Sequence, residues 1–168
     1  MSIYTLDTKL FGEIGIMQPE GLVEDFNITL GGKDMIINFQ VFENVANDST
    51  IKTIENMLDN IPLMYEKGKK AIIDGMDSNA VIKGFIDDYF YDDDIDVYLD
   101  FFGVDSGEDV TAVMVAERLE PRTIVIANDK DGTIDCTFDF SLPEEYTDQL
   151  LVIRFNDKYE IIYITHES

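Results

Sequence analysis

The chain has 168 residues, with 35 acidic and 12 basic side chains and a formal charge of -23. One cysteine and one histidine exclude an internal disulfide framework and a zinc site built from those two residue types. The charge argues against a nucleic acid as direct partner, because phosphate binding needs clustered Lys and Arg.

A hydrophobic fraction of 45% is that of a globular protein. A chain of this length folds most simply as one domain, residues 1–168, which buries roughly 70% of its unfolded surface. The opening Met1-Ser-Ile-Tyr-Thr-Leu-Asp7 lacks the basic start and apolar run of a secretory signal. No stretch approaches the roughly 20 apolar residues of a membrane helix. The expectation is a cytoplasmic protein without membrane contact.

Residues 1–45 read as strands. Phe11-Gly-Glu-Ile-Gly-Ile16 is a short one, flanked by Pro19 and Gly21. Phe26, Ile28 and Leu30 alternate with polar residues, as do Ile37, Phe39 and Val41, the period-2 pattern of half-buried strands. Gly31-Gly32 between them supplies the positive φ of a hairpin turn.

Residues 48–118 read as helices. Ile51, Ile54, Leu58 and Ile61 fall at helical spacing behind a cap at Asp48 or Ser49. Pro62 interrupts that helix and suits the first turn of the next, which ends near Gly75. Ser78 or Asn79 caps a third helix, whose stripe is Val81, Ile82, Phe85, Ile86 and Tyr89. Ile95, Tyr98, Leu99 and Phe102 suggest a short fourth, and 107–118 suits helix better than strand.

Residues 122–165 return to strands. Ile124 and Ile126 lead into the turn Asn128-Asp-Lys-Asp-Gly132. Ile134, Cys136, Phe138 and Phe140 then alternate with polar residues up to Pro143. Leu151, Ile153 and Phe155 form another strand, and Tyr159 to Thr165 closes the series after a turn at Asn156-Asp-Lys158. Strands, helices, strands is an α+β order, with antiparallel β-hairpins at both chain ends and the helical middle packed on the sheet. The expected core includes Ile28, Phe39, Leu58, Phe85, Ile126, Phe138 and Ile153.

Leu10-Phe-Gly-Glu-Ile14, the helical middle and the ending Leu151-Val-Ile-Arg-Phe155 … Ile161-Ile-Tyr-Ile-Thr-His-Glu-Ser168 resemble the bacterial domain-of-unknown-function family numbered two thousand and four. The chain departs from that pattern at Lys158-Tyr159, where an Asp-Gly turn would precede the last strand. The resemblance implies a small bacterial cytoplasmic protein, of the kind that neutralises a partner, and no catalytic residue.

The strongest compositional feature is acidic. From Asp74 to Asp109, eleven Asp and one Glu face Lys83 alone. The densest part, Asp87-Asp-Tyr-Phe-Tyr-Asp-Asp-Asp-Ile-Asp96, has three readings: a solvated face, a surface for a basic protein, or a metal site. It lacks the glycine and the closing Glu of a calcium loop, and Asn128–Gly132 fails the same test. As a partner surface it would use Asp87, Asp88, Tyr91, Asp92, Asp93, Asp94 and Asp96. There the aromatics Tyr89, Phe90 and Tyr91 would serve as anchors.

His166 lies near the end of the sequence, a poor place to orient a general base. Cys136 sits on the inward face of a strand and reads as a small buried hydrophobe. Gly31-Gly-Lys33 lacks the spacing of a phosphate loop. Lys67, Lys69 and Lys70 span one helical turn and read as a solvent face, with i,i+4 pairing to acids.

No motif names a reaction or a cofactor. The expectation is a non-enzymatic, immunity-type or inhibitor module that binds a basic protein through its acidic surface. The alternative is a small carboxylate-based enzyme or ligand-binding domain, with or without a divalent metal.

Overall fold

The computed structural model describes residues 2–18, 25–41, 47–91, 95–129 and 131–168. The fold is α+β. Strands β1 (Ser2–Thr8) and β2 (Gly12–Gln18) form a two-stranded antiparallel sheet. The second sheet has six strands in sequential order: β3 (Asp25–Leu30), β4 (Lys33–Gln40), β5 (Glu120–Asn128), β6 (Ile134–Ser141), β7 (Leu150–Phe155) and β8 (Ile161–Glu167). Between β4 and β5 run helices α1 (Asp48–Asp59), α2 (Ile61–Gly75), α3 (Ala80–Tyr91), α4 (Leu99–Phe102) and α5 (Ala112–Arg118).

Every strand pair is antiparallel except β4 with β5, which run parallel, with Ile37 opposite Ile124 and Phe39 opposite Ile126. The sequence pattern suggested hairpins alone, since neighbouring strands are joined by short turns. The exception arises because the whole helical middle serves as one crossover, and a parallel join needs such a connection.

Local chemistry sets the turns and helix ends. Gly31 and Gly32, at φ +60° and +78°, make the two-residue β3–β4 hairpin turn. The first helix is capped not by Asp48 or Ser49 but by Asn47, whose side chain accepts from the Thr50 amide. Asn79 Oδ1 accepts from the amides of Val81 and Ile82 at 3.0 and 3.1 Å, which starts α3. Residues 107–118 are helical, as a 3-10 turn at Gly107–Asp109 followed by α5. Tyr159 belongs to the turn before β8 rather than to the strand. It sits at φ +61°, while Asn156 Oδ1 holds the amides of Lys158 and Glu160.

The inward sheet face and the helices share one apolar cluster. All seven expected core residues are buried in it, and Cys136 is fully buried beside them. The β1–β2 hairpin joins through Leu6 and Ile14. Two acids of α1 fasten it: Glu55 accepts from the Asp7 amide at 2.8 Å, and Asp59 accepts from the amides of Lys9 and Leu10. Lys70 pairs with Asp74 at i,i+4 spacing as expected. Lys69 does not lie on a solvent face. Its ammonium donates to the carbonyls of Glu117 and Leu119, because α2 packs beside α5 and the start of β5.

Helix α2 approaches the sheet most closely at Gly68. A methyl group there would lie 2.8 Å from the ring of buried Phe140, closer than packed carbon atoms tolerate. Gly84, in α3, is exposed with nothing within 4 Å of such a methyl. Gly68→Ala is therefore expected to destabilise the fold by roughly 1–3 kcal/mol through overpacking. Gly84→Ala should stabilise it by about 0.5–1 kcal/mol through helix propensity. Urea unfolding of both variants checks the pair; equal shifts of the same sign would contradict the packing described.

Candidate functional site

Helix α3 buries Ile82, Phe85, Ile86 and Tyr89 against the core, so its polar positions turn outward. Asp87 is half-buried and meets Lys83 at 2.5 Å; Asp88 is exposed. After α3, a 3-10 turn at Ile95–Tyr98 leads into α4. Tyr98 anchors this segment: it is buried, donates its hydroxyl to the Tyr146 carbonyl at 2.9 Å and packs edge-on against Tyr89. Phe102 is buried next to it.

With those two aromatics inside, Asp96 and Asp100 face water, followed by Asp105, Glu108 and Asp109. Among the described residues none of these five, nor exposed Asp77, forms an ion pair. Val97 lies among them, 51% exposed. The outcome is a carboxylate-rich face with an apolar spot, held on an aromatic base.

Of the expected partner surface, Asp88 and Asp96 are exposed and Asp87 is half-buried. Tyr91 ends α3, with its side chain outside the described set, as is that of Phe90, and Asp92, Asp93 and Asp94 lie outside the described residues. Tyr89 is not a surface anchor: only 4% exposed, it belongs to the core, because its position continues the apolar stripe of α3.

His166 lies in β8, with its ring edge-on to Phe85 at 5.0 Å. Its Nε2 is 2.5 Å from Gln149 Oε1, and its Nδ1 is 3.5 Å from Asp88 Oδ2. The histidine is thus packed and oriented, and it meets an acid from the far side of the sequence. Ser141 is buried, accepts from Arg122 and donates to the Gln149 carbonyl at 2.7 Å. Its hydroxyl is held by these structural bonds. Burial pushes the Cys136 thiol far up, which leaves it protonated and unreactive. Among the described residues, no group of three or more His, Cys, Asp or Glu side chains is placed to hold a metal ion. Among the described residues, no helix is long and apolar enough to cross a membrane.

The outward sheet face carries two carboxyls of unusual environment. Asp139 stands between Thr123 and Val152. Burial pushes its carboxyl up to about 6; Glu167 adds to the rise and Arg122 opposes it. Asp135 is raised too, by burial first, with Arg154 at 3.9 Å opposing. In the unfolded chain an Asp releases its proton near about 4. Between that pH and about 6, the folded chain therefore holds a proton at Asp139 that the unfolded chain has lost, and stability falls as pH rises. Asp139→Asn is expected to gain roughly 1–2 kcal/mol at pH 7 and to flatten stability between about pH 4 and 6. Urea unfolding across that range checks it; an unchanged slope would contradict the assignment. Set against models of protein families, curated proteins and solved structures, the chain matches none.

Proposed function

We propose that this chain is a non-enzymatic protein-interaction module, of the immunity or inhibitor type, that takes a basic protein on its acidic face. One observation carries the reading: six exposed carboxylates between Asp77 and Asp109 lack a cation among the described residues, and exposed Val97 stands among them. Like charges held together repel, which works against a compact state. A partner that supplies the missing cations removes that cost, while Val97, next to Asp96, offers apolar contact. The field of such a face also speeds encounter with a basic protein. The sequence ends that resemble the family of unknown function fit this reading and add no activity to it.

The test is a variant with Asp96, Asp100, Asp105 and Asp109 changed to Asn, compared with the wild type as bait in a lysate and then in binding kinetics with the captured partner. All four side chains are exposed and form no ion pair among the described residues, so the fold should hold. Capture by the wild type should weaken with salt. The variant should associate about tenfold more slowly, with a flatter salt dependence and a less altered dissociation rate. A partner bound by both proteins at equal rates, or no basic protein captured at low salt, would contradict the proposal.

A further inference from the structure

A cleft of about 330 Å³ opens where β4 and β5 begin, beside α4, α5 and the segment after β6. Its cations are Lys33, Arg118 and Arg122, three of the 12 basic side chains in a chain of charge -23. Phe101, Pro121, Leu142 and Pro143 form its apolar walls.

The two arginines have unusual company for so acidic a protein. Neither makes an ion pair among the described residues. Arg118 lies over the Phe101 ring, 5.3 Å from its centroid, and its Nη1 donates to the Phe101 carbonyl at 2.6 Å. Its Nε and Nη2 have no partner among the described residues. Arg122 directs Nη2 at Ser141 Oγ, the Leu142 carbonyl and the Thr147 carbonyl, at 2.9, 3.1 and 2.7 Å. Its Nε and Nη1 likewise have no partner among the described residues. Both guanidiniums are thus fixed by neutral oxygens and keep charge and open donors.

Three carboxylates, Asp34, Glu120 and Glu144, share the lining with those cations, and Arg122 also acts on the Asp139 carboxyl from the sheet. Glu120 sits 3.6 Å from Lys33 and 3.4 Å from Lys69, and accepts from the Tyr65 hydroxyl at 2.7 Å. Asp34 accepts from Thr29 at 2.7 Å. Glu144, exposed, is the remaining carboxylate on the rim.

From this geometry we infer that the cleft is a binding site for a small organic oxyanion. Its phosphate or carboxylate group takes the open donors of Arg118 and Arg122, and its apolar body lies against Phe101, Leu142 and Pro143. Guanidinium donors match the planar spread of such oxygens, and charge-assisted bonds of this kind are the strong ones. The volume suits one small molecule rather than a macromolecule. The inference does not rest on the function proposed for the acidic face.

Phenyl phosphate, benzoate and inorganic phosphate are titrated into the full-length chain in low-chloride buffer, followed by the backbone amide signals in NMR. Saturable shifts confined to Phe101, Arg118, Arg122 and Leu142 are expected with phenyl phosphate or benzoate, and weaker binding with inorganic phosphate, which lacks an apolar body. The tighter of the two organic probes identifies phosphate or carboxylate as the group bound. Arg118→Gln, at an exposed position, should weaken binding about tenfold or more. Lys67→Gln, outside the cleft, should leave it unchanged. Absence of a saturable shift with every probe, shifts located elsewhere, or equal affinity in the two variants would overturn the inference.

Discussion

The parallel pairing of β4 with β5 is the constraint on which the rest of the structure depends. It joins the N-terminal hairpin β3–β4 to the antiparallel run β5–β8 and makes one six-stranded sheet of two stretches far apart in sequence. Closing so long a loop costs chain entropy. Burial of the crossover offsets that cost. Ile54, Met57, Leu58, Met64, Ile72 and Phe85 of the helices lie over Ile37, Phe39, Ile124, Ile126 and Phe138 in one apolar cluster. Each fully buried side chain of this kind contributes about 1.5–3 kcal/mol relative to exposure. The close passage of α2 at Gly68 over Phe140 is how the crossover stays tight against the strands.

Once that core is set, charge sorts by position. A few acids have structural work: Glu55 and Asp59 hold the β1–β2 hairpin, and Glu120 gathers Lys33, Lys69 and Tyr65. Others stand outside without cations, above all along the 3-10 turn, α4 and the segment that follows. Arg118 and Arg122 are spent on a ring and on carbonyl oxygens instead of on those acids. In a chain with nearly three acids per base, neither arginine forms an ion pair among the described residues, and both line one cleft together with Lys33.

Much of the fold was legible because periodicity is local. Alternation at 134–140 and the stripe from Val81 to Tyr89 each report one element's buried face, and the core residues named from them are buried. What depends on long-range contact was not legible. The parallel β4–β5 join has no local signal, since it is decided by where the crossover returns. Lys69 looked like its neighbours in sequence, and its burial follows from α5 packing on α2. His166 gained its orientation from Phe85, Gln149 and Asp88, all distant along the chain. Tyr89 carried two readings, and the helical stripe was the better guide. The acidic face was visible as composition, but the cleft was not: Lys33, Phe101, Arg118 and Leu142 meet only in the folded chain.

Hydrogen exchange of the β4 and β5 amides, followed by NMR, tests the central claim most directly, that one cooperative core spans the crossover. The slowest exchange is predicted at Ile37 to Phe39 and Ile124 to Ile126, at the rate set by global unfolding, together with the buried amides of α2. Exchange at these positions as fast as in edge strands β3 and β8, or separate opening of the helical middle from the sheet, would contradict it.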